Sequence, residues 1–466
     1  MGIKTAPFQE IDQLLQPRSI AIAGLPQGMK TGKLFLLALQ DMGFSGPIYP
    51  VNPNASVIDG LGCYPSVSAI DGPIDLAIVL VGRDQVPGVM RECAAKKVKG
   101  VVLFTAGFRE TGTEAGRRLE KEILDICRDA GMRLFGPNCM GLYVPRSGLS
   151  FFPGLSKKPG SLGLISHSGS LANIIGREAE NKGLAFSKGV SLGNEADLAA
   201  ADFLAYLADD PETRVIGGYL ENIKEGDGFF EALMAAAAAK KPVVLWRVGL
   251  TPEGGRAASS HTGALAGTEK IWQGILNQCG AVSVAGWDQW VDTLMAFYLL
   301  PPPTGRRMAI ISGPGGLAVS AAEAVGRERL QLAVLSRETR EHLARHVPPT
   351  GTSLNNPVDV SLTAHMDWRI FARSATAVAR DPEVDAVLVI GSGLDEDSNQ
   401  NYMDAMIAAR RESGKPFLIV AIPGMAQGTA KAFCSAGLPF FETVEKAVAA
   451  YRRVADHYLH VRPQNP

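Results

Sequence analysis

Along this chain, short apolar runs rich in Val, Ile and Leu alternate with longer segments whose apolar positions recur every three or four residues. The runs "SIAIAGL", "PIYPVNP", "IDLAIVLVG", "KGVVLFTAGF" and "MRLFGPN" predict strands. The segments between them, "KTGKLFLLALQDMGF", "QVPGVMRECAAKKV" and "GTEAGRRLEKEILDICRDAG", predict helices. The last is predicted over 113–131, where apolar and charged positions alternate with a period near 3.6. Continuously apolar strands separated by helices predict parallel sheets covered on both faces.

The same rhythm continues after the loop "GLSKKPG". Strands are predicted at "SLGLIS", "KGVSLGN", "RVIGGYLE" and "KPVVLWRVG", with helices at "DLAAADFLAYLADD" and 228–239. "LLPPPTGRR", residues 299–307, breaks the pattern, because three successive prolines neither continue a helix nor join a central strand. A third unit follows from "RMAIISGPGG", with strands at "LQLAVLS", "DAVLVIG" and "PFLIVAI". The second and third units share one plan: strand, Ser/Gly loop, small-residue helix, then a strand about 20 residues on. This reads as a flavodoxin-like half used twice.

Composition narrows the function classes. The chain has 466 residues, enough for about three domains of ~150 residues. With 46% hydrophobic and 20% charged residues it has an ordinary globular mix. A net charge of −1 leaves no basic footprint for nucleic acid or an anionic membrane. The six cysteines (Cys63, Cys93, Cys127, Cys139, Cys279, Cys434) form no CxxC pair, so neither a disulfide framework nor a metal site is expected. No apolar run reaches the ~18–20 residues of a membrane span, and "MGIKTAPFQEIDQLL" has no signal core. A cytoplasmic protein is expected.

Four stretches carry candidate chemistry. In "AIAGLPQGMKTGK", Gly24 follows a strand and precedes a helix, the place where a coenzyme phosphate sits on a helix N-terminus; a plain tight turn explains it as well. "SHSGSLAN" opens a helix at Ser168, Gly169 and Ser170, where free amides and the macrodipole favour an anion; a serine N-cap is the ordinary alternative. His167 in the same turn is either a second candidate or a structural or partner-contacting residue. In "GGYLENIKEG", Glu221 ends an apolar strand on the ligand edge of a parallel sheet, where a carboxylate can orient an imidazole; a rim carboxylate facing water is the ordinary alternative. In "RAASSHTGALAG", His261 stands in a loop of small residues. A phosphorylated imidazole there would find close amides and hydroxyls from Ser259, Ser260, Thr262 and Gly263.

The stretch "SSHTGALAG" resembles the phosphohistidine segment of NDP-forming acyl-CoA synthetases, the ADP-forming acetyl-CoA synthetases above all, within the succinyl-CoA synthetase superfamily. "IYPVNP", "GVVLFTAGFRETGTEAG", "RLFGPNCMG", "LISHSGSLA", "VSLGNEADL", "YLADDPETRVIGGYLENIK", "KPVVLWRVG" and "NPVDV" are similar to the family in its order. The resemblance implies an α/β chain: a Rossmann-like CoA-binding domain over 1–145, then flavodoxin-like domains over 146–300 and 306–466. It implies that His261 carries the phosphoryl group and Glu221 orients it. Ser168, Gly169, Ser170 and Gly263 would bind phosphate. Gly24, Pro26, Lys33, Asn52, Pro53, Asn138 and Cys139 would bind or line CoA. No metal ligand is implied.

Three positions depart from the family pattern. His167 stands where Gln is common and Asn54 where Lys is common, and "VLWRVG" replaces Leu-Lys-Ala-Gly, with Arg247 keeping the positive charge. No further domain follows "HYLHVRPQNP", so an α-type chain is expected, with ATP/ADP and Mg on a separate ATP-grasp (β-type) subunit in a heterotetramer. The expected reaction is carboxylate + CoA + ATP giving acyl-CoA + ADP + phosphate on a small carboxylic acid, without nucleic acid or membrane partners. A CoA-binding regulatory or scaffold chain, and an ATP-independent phosphate-linked acyl or carbamoyl transferase, are the alternatives.

Overall fold

The computed structural model describes residues 8–262, 268–349, 352–393, 395–420, 422 and 429–460, with 259–262 and 460 described by backbone alone. The chain forms two compact units. One comprises residues up to 177 with 185–285; the other comprises 178–184 with 286–466.

The first unit contains two large sheets and a small two-stranded one, Val57–Ile58 against Leu61–Gly62. Strands β1 (Ile20–Ala23), β2 (Ile48–Val51), β3 (Leu76–Val79), β4 (Gly100–Leu103) and β5 (Arg133–Phe135) are parallel, in the order β2-β1-β3-β4-β5. β1, β3 and β4 are buried at every position, as strands covered by helices on both faces must be. Helices α1 (Phe8–Leu15), α2 (Lys33–Met42), α3 (Val86–Ala95) and α4 (Glu114–Ala130) accompany them. The periodic segment read as a helix over 113–131 is α4. Thr113 caps it by accepting from the Gly116 amide, and Gly131, at φ +63°, ends it in the left-handed conformation.

The second sheet comprises β6 (Gly141–Tyr143), β7 (Leu162–Ser166), β8 (Phe186–Ser191), β9 (Val215–Leu220), β10 (Val243–Arg247) and β11 (Val282–Val284), in the order β11-β10-β9-β7-β8-β6. Only β6 is antiparallel, against β8. Helices α5 (Gly169–Asn181), α6 (Ala200–Asp209), α7 (Gly226–Ala238), α8 (Pro252–Thr262) and α9 (Glu269–Cys279) connect the strands. The loop expected around His261 is corrected here: α8 runs through His261 to Thr262. Its alanines, with Glu253 in the first turn, suit a helix.

The second unit adds α10 (Trp287–Leu299), β12 (Arg307–Ser312), α11 (Gly315–Arg327), β13 (Gln331–Leu332), α12 (Arg337–Leu343), β14 (Val358–Asp359) and α13 (Trp368–Arg380). β15 (Ala386–Ile390), α14 (Glu396–Ser413), β16 (Phe417–Val420), α15 (Thr429–Ser435), β17 (Phe440–Phe441) and α16 (Val444–His460) complete it. The sheet order is β13-β12-β15-β16-β17, with β14 also on β12. The repeated plan read from the sequence is present: β7–α5–β8 and β12–α11–β13 follow one course. Among the described residues, no helix is long and apolar enough to cross a membrane.

In each of the three large sheets the chain leaves its first parallel strand for a neighbour on one side, then returns to pair on the other. The strand order therefore reverses between β1 and β3, between β7 and β9, and between β12 and β15. Loops leaving the C-terminal ends of such strands part and leave a crevice, where ligands of open parallel sheets bind.

Candidate active site

The first crevice is built on Gly24, directly after β1. Its φ is +85°, and a Cβ there would lie 2.8 Å from Val81 Cγ1 and 2.9 Å from the Val81 amide nitrogen. Only glycine brings the β1 loop this close to the end of β3. Gly24, Pro26 and Asn52 line a cavity of about 630 Å³, together with Lys30, Thr31 and Gly32. The Asn52 carboxamide shapes one wall, donating to Leu25 O at 2.9 Å and accepting from the Asn54 amide at 2.9 Å. Its breadth and open glycine-rich wall fit an extended nucleotide such as CoA.

The other residues expected to bind or line CoA are not part of this cavity's lining. Lys33 turns inward: its ammonium lies 2.7 Å from Asp59 Oδ2 and its side chain is 4% exposed. Pro53 is exposed and outside the cavity lining. Asn138 and Cys139 lie on the loop after β5, which is pinned by the Asn138 amide donating to Thr105 O at 3.1 Å. Burial pushes the Cys139 thiol up to about 12, so it is no thiolate near neutral pH.

That loop meets the second sheet. The Asn194 amide donates to Pro137 O and the Ala196 amide to Gly136 O, both at 2.9 Å. The Met140 amide donates to Ser191 Oγ at 3.2 Å. A Cβ on Gly169 would fall 2.2 Å from Met140 Cγ, so the start of α5 and the end of this loop touch at a glycine. The loop that carries Asn138 and Cys139 thus reaches the start of α5 through Met140 and Gly169, and neither residue lines the Gly24 cavity.

At the second crevice, His167 follows β7 and Glu221 follows β9. The Glu221 amide donates to His167 Nδ1 at 3.0 Å. The ring proton is then on Nε2, which lies 3.0 Å from Glu195 Oε1. The His167 and Glu195 side chains are each 2% exposed. One ring nitrogen accepts a backbone amide and the other faces a buried carboxylate at ion-pair distance, so His167 is a buried, positioned residue. Glu221 is itself buried, at 6% exposure, and burial together with the nearby Glu221 carboxylate holds the Tyr219 hydroxyl above its ordinary value. Ser168 caps α5 with its hydroxyl, which accepts from the Leu171 amide at 3.3 Å. The first-turn amides of Gly169 and Ser170 have no intrahelical acceptor, so both the cap and an anion-ready helix start belong to this turn.

β10, next to β9 in the sheet, leads into α8. His261 stands in the last turn of α8, one strand over from Glu221. Its side chain lies outside the described ones, and Gly263 lies outside the described residues.

Two charged residues at this edge escaped sequence reading. Burial alone would raise the Glu195 carboxyl, but His167, Lys224 and the Ala200 amide outweigh it and hold the group below its ordinary value. The Ala200 amide donates to Glu195 Oε1 at 2.7 Å. Lys224, lowered mainly by burial, donates to Glu195 O at 2.5 Å and to Asn194 O. Glu195 takes φ +49°. The available signal was a carboxylate inside the loop "SLGNEAD" at a strand end.

Comparisons with known proteins bear on the domains that carry these residues. The model of a CoA-binding domain matches residues 18–145, and that of a succinyl-CoA ligase-like flavodoxin domain matches residues 159–297. The chain is 36% identical to the α subunit of ADP-forming acetate–CoA ligase II of Pyrococcus furiosus, over 94% of this chain and 96% of that one. It is 31% identical to the ADP-forming 4-hydroxybutyrate–CoA ligase of Nitrosopumilus maritimus, over 95% of this chain but 64% of that longer one. Among solved structures it is similar to acetyl-coenzyme A synthetase 1 of Ca. Korarchaeum cryptofilum, determined with phosphate and ADP. The TM-score is 0.86 at 29% identity, covering 97% of each chain.

Proposed function

Since the chain belongs to the family of ADP-forming acyl-CoA ligases and aligns end to end with their α subunits, we propose that it is the α-type subunit of such an enzyme. The reaction is carboxylate + CoA + ATP giving acyl-CoA + ADP + phosphate. Residues 1–145 hold CoA, and 146–300 and 306–466 are the two flavodoxin-like domains. ATP and its Mg²⁺ lie on a separate ATP-grasp subunit, in a cytoplasmic heterotetramer. The observation that carries this reading is the meeting of Glu221, His167 and the first turn of α5 at the edge of β7 and β9, beside the strand that leads to His261.

In synthesis, His261 takes the terminal phosphoryl group of ATP and passes it to a carboxylate oxygen, breaking the N–P bond. The CoA sulfur then attacks the acyl carbon and phosphate leaves. Imidazole suits the carrier role because its neutral form is nucleophilic near pH 7. Glu221 holds the His261 ring and stabilises its positive charge. The amides of Gly169 and Ser170 face the phosphoryl oxygens without reorganising. Gly24, Pro26 and Asn52 cradle CoA, while Asn138 and Cys139 bound the acyl end as neutral walls.

The test is purification from the native cell. An ATP-grasp chain should co-elute, and the complex should release ADP continuously only when both CoA and a carboxylate are present, ATP alone supporting a single phosphoryl transfer to His261. A chain that purifies alone and is fully active in acyl-CoA synthesis contradicts the subunit reading. Phosphate-dependent acyl-CoA cleavage by the lone chain favours a transferase instead.

A further inference from the structure

Arg247 closes β10 on the ligand edge of the second sheet. In the ladder it stands opposite Leu220, the residue before Glu221. Its guanidinium carbon lies 4.9 Å from the centroid of the Trp272 ring. That ring is a fixed floor: Trp272 is 1% exposed, its indole N–H donates to Ser283 Oγ at 3.3 Å, and Phe229 stacks on it at 6.3 Å.

What Arg247 lacks is an anion. Among the described residues no carboxylate lies within ion-pair distance, and its buried Nε has no hydrogen-bond partner. Burial lowers the guanidinium with no nearby charge to offset it. Arg133, equally part of this unit, shows the usual arrangement, with Asp197 at 2.9 Å and Glu10 at 3.0 Å. A half-buried cation without a counter-charge is costly to keep. Stacking on an aromatic face recovers part of that cost and fixes the plane of the fork, leaving its N–H edge to meet two oxygens at once.

We propose that Arg247 is an oxyanion-binding residue of this site, receiving a substrate carboxylate or phosphate edge-on while its face stays stacked on Trp272. The inference rests on reading this edge as the phosphoryl and acyl transfer centre, and it adds the group that neutralises the oxyanion there. The simpler role, a cationic plug that only packs on Trp272, makes different predictions.

The full chain is titrated with inorganic phosphate and, separately, with acetate, while tryptophan fluorescence is followed. One of the two anions should give a saturable change, and which one identifies the source. Arg247→Met should weaken that binding by about 10- to 100-fold, the range for a lost charge-assisted hydrogen bond. Arg247→Lys should fall between, and Trp272→Phe should lose the signal. In the holoenzyme, KM for the same anion should rise with Arg247→Met while KM for CoA stays put. No saturable change with either anion, or equal affinity in wild type and both Arg247 variants, overturns the proposal. Should Arg247→Met not fold, Arg247→Lys and the wild-type titrations decide alone. Phosphohistidine formation from ATP in the wild type is measured alongside. Its absence, with Arg247-dependent binding intact, sinks the His261 reading and leaves the anion site standing.

Discussion

Replacing Gly193 by alanine should disrupt the seam between the first two sheets, and Gly43→Ala supplies the control. Both glycines have positive φ, +56° at Gly193 and +82° at Gly43. An L-residue in that conformation costs about 1–2 kcal/mol. At Gly43 a Cβ meets nothing within 4 Å, so that strain is the whole cost. At Gly193 a Cβ would lie 2.3 Å from both Pro137 O and Asn138 O, which are backbone atoms that cannot rotate away. Relief requires the loops to part by about 1 Å (the shortfall from normal van der Waals contact), which breaks the Asn194-to-Pro137 hydrogen bond. A buried backbone group left unpaired adds about 1–3 kcal/mol. The sum is about 2–5 kcal/mol for Gly193→Ala against about 1–2 for Gly43→Ala. At about 2–4 °C per kcal/mol for a unit of this size, calorimetry should show Gly193→Ala melting several degrees below Gly43→Ala. Because the seam carries the loop of Asn138 and Cys139 to the start of α5, where Met140 meets Gly169, acyl-CoA synthesis at a permissive temperature should also fall for Gly193→Ala alone. Equal melting temperatures and equal activities would refute the argument that backbone contact across this seam positions the site.

Asp292, whose carboxyl is raised to about 6 chiefly by burial, penalises the fold as pH rises from its unfolded value through about 6. Asp292→Asn should therefore stabilise the protein at pH 7.5, by up to about 3 kcal/mol, and not at pH 4; thermal melts at the two pH values check it. Glu195 is the opposite case: its folded value is depressed, so its contribution is complete above the ordinary carboxylate range and is lost as pH falls through the folded value. Glu195→Gln should lower Tm at pH 7 by the equivalent of about 1.5–3 kcal/mol, with the gap closing in acid; a constant gap would contradict the His167–Glu195 account. The buried Cys139 thiol should resist iodoacetamide at pH 8 in the folded chain, as read by peptide mass spectrometry, and rapid labelling would show an accessible thiolate.

Much of the architecture was legible because the signals are local. α4 announced itself through its 3.6 period, and β3, β4 and β15 through unbroken apolar runs. Glu221 and Ser168 were legible as strand-end residues, since parallel sheets put ligands there. The rest depends on distance in space. Lys33 looked available to a phosphate, but Asp59, far along the chain, claims it. His167 and Glu195 are 28 residues apart in sequence yet 3.0 Å apart in the fold. The loneliness of Arg247 is a property of its surroundings, invisible in "VLWRVG". Around His261 the small residues suggested a loop, while the same alanines also make a helix.

The central claim is that His261 carries the phosphoryl group, and covalent labelling tests it most directly. The chain, with its partner subunit, is incubated with ATP labelled at the terminal phosphate, and the modified peptide is mapped. The account predicts label on His261 that is stable in alkali and lost in acid, as an N–P bond is, and that disappears in His261→Ala while CoA binding stays intact. Label that survives in His261→Ala, or that resists acid as a phosphoserine does, would place the carrier elsewhere and contradict the account.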